Sequence, residues 1–154
     1  MANTYSQVHL HFVIAVKYRQ ALIDDSIEEE VHKYISGIIQ NNSHKLLCIG
    51  GMPDHVHILV GFNTTQSIAD FMSKVKSNSS RWINENRKTK FKFEWQDGYG
   101  VFSCSKSHMN NVISYLNNQK EHHRLKSFTE EFTEFLKIAE LEFDVKYILK
   151  EADE

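Results

Sequence analysis

Apolar residues fall into short blocks along the chain, and the period within each block predicts an element. Residues 7–18 (Gln-Val-His-Leu-His-Phe-Val-Ile-Ala-Val-Lys-Tyr) are rich in β-branched and aromatic side chains and predict a first strand. From residue 24 to about 40, Ile27, Val31, Tyr34, Ile35 and Ile38 recur at helical spacing, with Ser26 and Glu29 placed as a capping box. Residues 45–49 predict a second strand, Gly50-Gly51-Met52-Pro53-Asp54 a turn, and residues 55–62 a third strand, so that the second and third form a hairpin. Residues 67 to about 86 predict a second helix whose apolar side carries Ile68, Phe71, Met72, Val75 and Trp82. Asp97-Gly98 marks a turn before a fourth strand over residues 99–103. A third helix is expected over residues 107–124 and a fourth from Ser127, where Glu130 completes a capping box.

The order β-α-β-β-α-β followed by helices predicts an α+β, ferredoxin-like antiparallel sheet with helices on one face plus C-terminal helices. The 154 residues suit one domain, with a core over residues 5–126 and an acidic helical tail over 127–154. Fold of this kind is silent about chemistry. Two cysteines, Cys48 and Cys104, make neither a disulfide framework nor a close metal-binding pair, and a reducing cytoplasm is the expected compartment. The first 16 residues lack a basic n-region and contain His9 and His11, unlike a signal peptide. No apolar run reaches the roughly 20 residues of a membrane span.

The chemistry concentrates in Gly51-Met52-Pro53-Asp54-His55-Val56-His57-Ile58-Leu59-Val60. In a strand, residues i and i+2 share a face, so His55 and His57 project together while Val56 points to the core. Two imidazoles on one face offer two nitrogens to one metal ion. His9 and His11 have the same spacing, so spacing alone does not choose between the pairs. On the third helix, Met109, Val112, Ile113 and Leu116 form an apolar stripe, and Tyr115, Gln119 and His122 lie together beside it. A phenol is a poor nucleophile at its ordinary pKa, about 10, and needs activation. A metal helps by polarising a phosphoryl oxygen. Two imidazoles and an amide oxygen leave positions open on Mg²⁺ or Mn²⁺ for phosphate and water.

These residues resemble a known family. Pro53-Asp54-His55-Val56-His57-Ile58-Leu59-Val60 is similar to the His-hydrophobic-His motif of HUH endonucleases. Tyr115-Leu116-Asn117-Asn118-Gln119, followed by His122-His123-Arg124, resembles the catalytic helix of single-tyrosine transposases of the insertion-sequence 200/605 group, repeated-palindrome-associated members included. Lys17-Tyr18-Arg19, Ser79-Ser80-Arg81-Trp82 and Trp95-Gln96-Asp97-Gly98-Tyr99-Gly100 extend the resemblance over nearly the whole chain. It implies a transposase that cleaves and rejoins single-stranded DNA at hairpin-marked element ends without ATP. Tyr115 would be the nucleophile, forming a 5′-phosphotyrosine, and His55, His57 and Gln119 the ligands of a divalent metal, Mg²⁺ or Mn²⁺. The resemblance also implies a homodimer in which the tyrosine helix of one subunit serves the His pair of the other. It selects His55/His57 over His9/His11, which are left as structural or first-strand surface residues.

Charge changes the picture locally rather than globally. Net charge is −2, but residues 71–93 carry seven Lys and Arg against one Glu, and residues 128–154 carry nine acids against three Lys. The basic run suggests a surface for a polyanion, with Lys74, Arg81, Arg87 and Lys88, together with Lys17 and Arg19, as candidate DNA contacts. Trp82 or Trp95 could stack on bases or pack in the core. The rival reading is a ferredoxin-like module that binds single-stranded nucleic acid without chemistry, or a domesticated relative of the transposase.

Overall fold

The computed structural model describes residues 4–119 and 127–138. Four antiparallel strands form one sheet in the order β2-β3-β1-β4, from β1 (His9–Ala15), β2 (Lys45–Met52), β3 (His55–Gly61) and β4 (Gly100–Ser103). α1 (Glu28–Asn41) links β1 to β2, and α2 (Ile68–Glu85) links β3 to β4. This is the expected ferredoxin-like order. α3 (Met109–Asn117) and α4 (Phe128–Ile138) follow.

Register sorts the side chains of the central strands onto two faces. Leu10, Phe12 and Ile14 pair with Val60, Ile58 and Val56, and all six join α1 and α2 in the main apolar core. His11, Val13 and Ala15 pair with Leu59, His57 and His55 on the opposite face. There Val13 and Ala15 form a second small apolar cluster with Phe102 and Phe132. Helices therefore cover both faces: α1 and α2 one, α3 and α4 the other.

Two boundaries differ from expectation, each for an identifiable reason. β2 runs through Gly50 and Gly51 to Met52, and only Pro53 and Asp54 remain between the strands. Gly50 pairs with His57, and a Cβ there would lie 2.6 Å from the Leu116 carbonyl oxygen. The glycine serves close approach of α3 to the sheet, not a turn. α1 starts at Glu28 without a side-chain cap. Ser26 instead donates to Asp24 Oδ1 from its backbone nitrogen (2.9 Å) and hydroxyl (2.5 Å), an Asx turn one step before the helix. α2 and α4 do carry their serine caps, with Ser67 Oγ accepting from Asp70 N and Ser127 Oγ from Glu130 N.

α4, the described part of the acidic C-terminal segment, packs on the sheet. Phe132 packs where a Cβ on Gly100 would come within 2.7 Å of its ring, and Thr129 Oγ1 accepts from Arg19 at 2.6 Å. Two glycines thus lower two helices onto one face, Gly50 for α3 and Gly100 for α4. Among the described residues no helix is long and apolar enough to cross a membrane.

Candidate functional site

His55 and His57 lie side by side on β3, both fully buried, with ring centroids 5.1 Å apart. Leu116 packs against Gly50 and holds α3 on the sheet, which brings Tyr115 and Gln119 toward the same face. Gln119 Oε1 lies 3.1 Å from His55 Nε2, and Gln119 Nε2 donates to Glu131 Oε2 at 3.3 Å. The Tyr115 hydroxyl donates a short hydrogen bond to the same Glu131 oxygen. Glu131 Oε1 lies 2.8 Å from His57 Nε2 and 3.8 Å from His55 Nε2. His55, His57, Gln119 and Tyr115 thus converge on one carboxylate from α4.

An outer set of residues orients the imidazoles. His55 Nδ1 lies 2.7 Å from Asp54 Oδ1. A carboxylate only accepts, so this nitrogen carries the proton and the ring turns Nε2 toward Gln119 and Glu131. Arg19 donates to Asp54 Oδ2 at 2.9 Å and to Thr129 of α4. Tyr18 and Arg19 both adopt left-handed backbone (φ 57° and 55°) in the 3₁₀ turn Lys17–Arg19, a conformation that costs about 1–2 kcal/mol per residue. His57 Nδ1 lies 2.8 Å from His11 Nε2, and the two rings stack. His11 is therefore not a surface residue: it is 3% exposed and supports His57. Its neighbour His9 is only partly buried.

Burial and charge set the protonation of the group. Burial, helped by His57, pushes the His11 imidazole down to about 3, so at neutral pH it is uncharged. Burial works against ionisation of Asp54, but hydrogen bonds and charge from His55 and Arg19 outweigh it and hold the carboxyl below its usual range. Burial, then the hydrogen bond and charge of Glu131, push the Tyr115 phenol well above its ordinary value. The tyrosine is held protonated with its hydroxyl aimed at an acceptor.

Sequence reading brought Tyr115, His55, His57 and Gln119 forward, and the fold gathers all four within one chain. The tyrosine faces the His pair of its own subunit here, where the resemblance implies a partner's pair. His122 and the two residues after it lie outside the described residues. Glu131 was missed because it sits in a run of acids. Its one signal is register: it falls three residues after Phe128 and four before Phe135, on the apolar side of α4. Of the apolar stripe on α3, only Leu116 is fully buried, while Met109, Val112 and Ile113 are half-buried.

The basic candidates divide. Arg19 is committed to Asp54 and Thr129, with its side chain 11% exposed. Lys17 pairs with Glu94 at 3.5 Å, and Lys88 pairs with Glu30 at 2.6 Å while lying over the Trp82 ring. Lys74 pairs with Asp70, Arg81 bonds Asn78, and both are exposed, as is Arg87. Trp95 is buried and donates from Nε1 to Ser79 Oγ at 2.9 Å, while Trp82 stacks on Tyr34 with centroids 4.5 Å apart. A cleft of about 440 Å³ opens beside Gln119, between the end of α3 and Glu28 and His32 of α1.

Comparison with known proteins gives one consistent answer. The family model described as IS200-like transposase matches residues 4–119. The ISDra2 transposase TnpA of Deinococcus radiodurans is 29% identical over 75 residues, 49% of this chain and 54% of that protein, so the chain spans about half the length of that relative. A crystal structure from Deinococcus radiodurans R1, assigned as a transposase, superposes with a TM-score of 0.62 at 23% identity over 77% of this chain and 95% of that one. A REP-associated tyrosine transposase bound to a REP hairpin superposes with a TM-score of 0.59 at 11% identity, over 84% of this chain and 78% of that one. At these identities the two structures show a shared fold.

Proposed function

The chain belongs to the IS200-like transposase family, and from that membership we propose that it cleaves and rejoins single-stranded DNA at hairpin-marked ends through a 5′-phosphotyrosine on Tyr115. One observation carries the reading: the Tyr115 hydroxyl, both imidazoles and the Gln119 amide meet at one buried carboxylate. In cleavage the Tyr115 oxygen attacks phosphorus, the bond from phosphorus to the 3′ oxygen breaks, and the departing oxygen takes up a proton. The phenol proton passes to Glu131, the acceptor it already faces. In rejoining, a 3′-hydroxyl attacks the phosphotyrosine and releases the phenol. One phosphoester replaces another in each step, so no ATP is consumed.

The residues present fit a divalent ion. His55, His57 and Glu131 offer ligand atoms within 4.8 Å of one another, and Gln119 adds a neutral oxygen beside them. Nitrogen and hard oxygen donors without thiolate suit Mg²⁺ or Mn²⁺. When bound, the ion would polarise a phosphoryl oxygen of the scissile group. Asp54 fixes His55, and His11 fixes His57, so both rings keep one orientation without reorganisation.

Lys74, Arg81 and Arg87, exposed on and after α2, are proposed to contact DNA phosphates. The cleft beside Gln119 is the proposed route of the strand. A homodimer in the cytoplasm is part of the same proposal, with each tyrosine serving its own subunit. Incubation with hairpin-bearing oligonucleotides and Mn²⁺ is expected to give an SDS-resistant adduct that Tyr115→Phe abolishes. An adduct that survives this substitution overturns the assignment. Mixing Tyr115→Phe with His55→Ala protein is expected to restore nothing, whereas recovery of cleavage would place the two halves of the site on different subunits.

A further inference from the structure

α4 lies beyond the residues that the family model matches, yet it supplies the group on which the site converges. Glu131 is 3% exposed. A carboxylate so buried is costly unless charge or hydrogen bonds answer it. Its two oxygens face different partners. Oε1 looks at the two imidazole Nε2 atoms, at 2.8 and 3.8 Å, and Oε2 takes the Tyr115 hydroxyl and the Gln119 amide. Three contacts fix the helix that carries it: Phe132 over Gly100, Phe132 beside Phe102, and Thr129 on Arg19, which itself holds the Asp54 partner of His55. The placement of Glu131 is thus built from both ends, by packing and by the residues that orient His55.

We propose that Glu131 is a fourth protein ligand of the divalent ion, binding through Oε1, while Oε2 positions the Tyr115 hydroxyl, so that α4 is an integral wall of the active site. The arrangement makes one carboxylate the link between ion and nucleophile. It also adds a negative charge to a ligand set that otherwise consists of two neutral imidazoles and a neutral amide, and a hard dication favours such a charge. This inference rests on the metal reading of His55 and His57 given above.

The test measures Mn²⁺ affinity directly, by isothermal titration and by the electron paramagnetic resonance of free Mn²⁺, with no DNA present. Glu131→Gln is expected to weaken Mn²⁺ binding at least about 10-fold, and Glu131→Asp, which keeps the charge, to lose less than Glu131→Gln. Circular dichroism and thermal melting establish that each variant is folded. Equal or tighter Mn²⁺ binding in folded Glu131→Gln would overturn the proposal and make α4 a cover that competes with the ion. His57→Ala separates the two levels. If it binds Mn²⁺ like the parent, the metal reading itself fails. If it loses the ion while Glu131→Gln keeps it, only the role of Glu131 fails.

Discussion

On one face of the sheet, Phe12, Ile14, Val56, Ile58 and Val60 meet α1 and α2 in an apolar interior. On the other, residues from the same two strands, His11, His55 and His57, meet α3 and α4 and are just as buried. The first interior is held by dispersion and exclusion of water, and volume is what it must conserve. The second is held by a chain of polar partners, Arg19 to Asp54 to His55 and His11 to His57 to Glu131, in which each group answers the next. Alternation along β1 and β3 is what allows one pair of strands to serve both. A single strand thereby ties the stable part of the molecule to the reactive part with no intervening loop.

The comparison breaks most visibly on the apolar side. Phe12→Ala removes a fully buried ring and is expected to cost about 3–5 kcal/mol in urea unfolding, with little change in Mn²⁺ affinity of the folded fraction. A matching loss of metal affinity would mean the faces are not separable. On the polar side the pattern reverses. Asp54→Asn removes the charge that orients His55 and is expected to weaken Mn²⁺ binding about 10–100-fold with a smaller effect on the melting temperature.

The glycines sharpen the contrast between the two covering helices. Gly50→Ala sets a methyl 2.6 Å from the Leu116 carbonyl, which is backbone and cannot turn aside. A cost of about 1–3 kcal/mol is expected, with loss of cleavage as α3 is displaced. Gly100→Ala meets side-chain rings rather than backbone, Phe132 at 2.7 Å and Phe102 at 3.2 Å, which can shift, and a smaller loss is expected. Equal effects would argue against backbone contact as the cause.

The smallest effect is a pH slope. The unfolded chain protonates His11 below its ordinary value of 6.5, whereas the folded chain resists until about 3. Below 6.5 the unfolded state therefore binds the extra proton, so stability falls as pH drops from 6.5 toward 3. Unfolding midpoints at pH 7 and pH 5 are expected to differ less in His11→Phe than in the parent. An unchanged slope would assign the acid sensitivity in this range to groups other than His11.

Much of this was legible in the chain. The buried-strand run over residues 55–62 and the helical stripes of α1 and α2 state the fold directly, because local pattern and tertiary burial agree there. Tyr115 and Gln119, four apart, were legible as neighbours on one helix side. Gly50 and Gly51 misled because a glycine pair before proline reads as a turn, and close approach of α3 has no signature in local sequence. His11 was left open between a structural and a surface residue because its value lies in its stacking on His57, 46 positions away. Glu131 was hidden for the same reason: nothing within α4 announces that a carboxylate there lies over two histidines on β3.

The most direct test of the account is the chemical identity of the covalent link. Parent protein incubated with a hairpin-bearing oligonucleotide and Mn²⁺, then digested with protease and nuclease, should yield one modified peptide in tandem mass spectrometry, with a nucleotide joined through its 5′-phosphate to the oxygen of Tyr115. A nucleotide on any other residue, or an oligonucleotide bound tightly and recovered intact with every peptide unmodified, would contradict it.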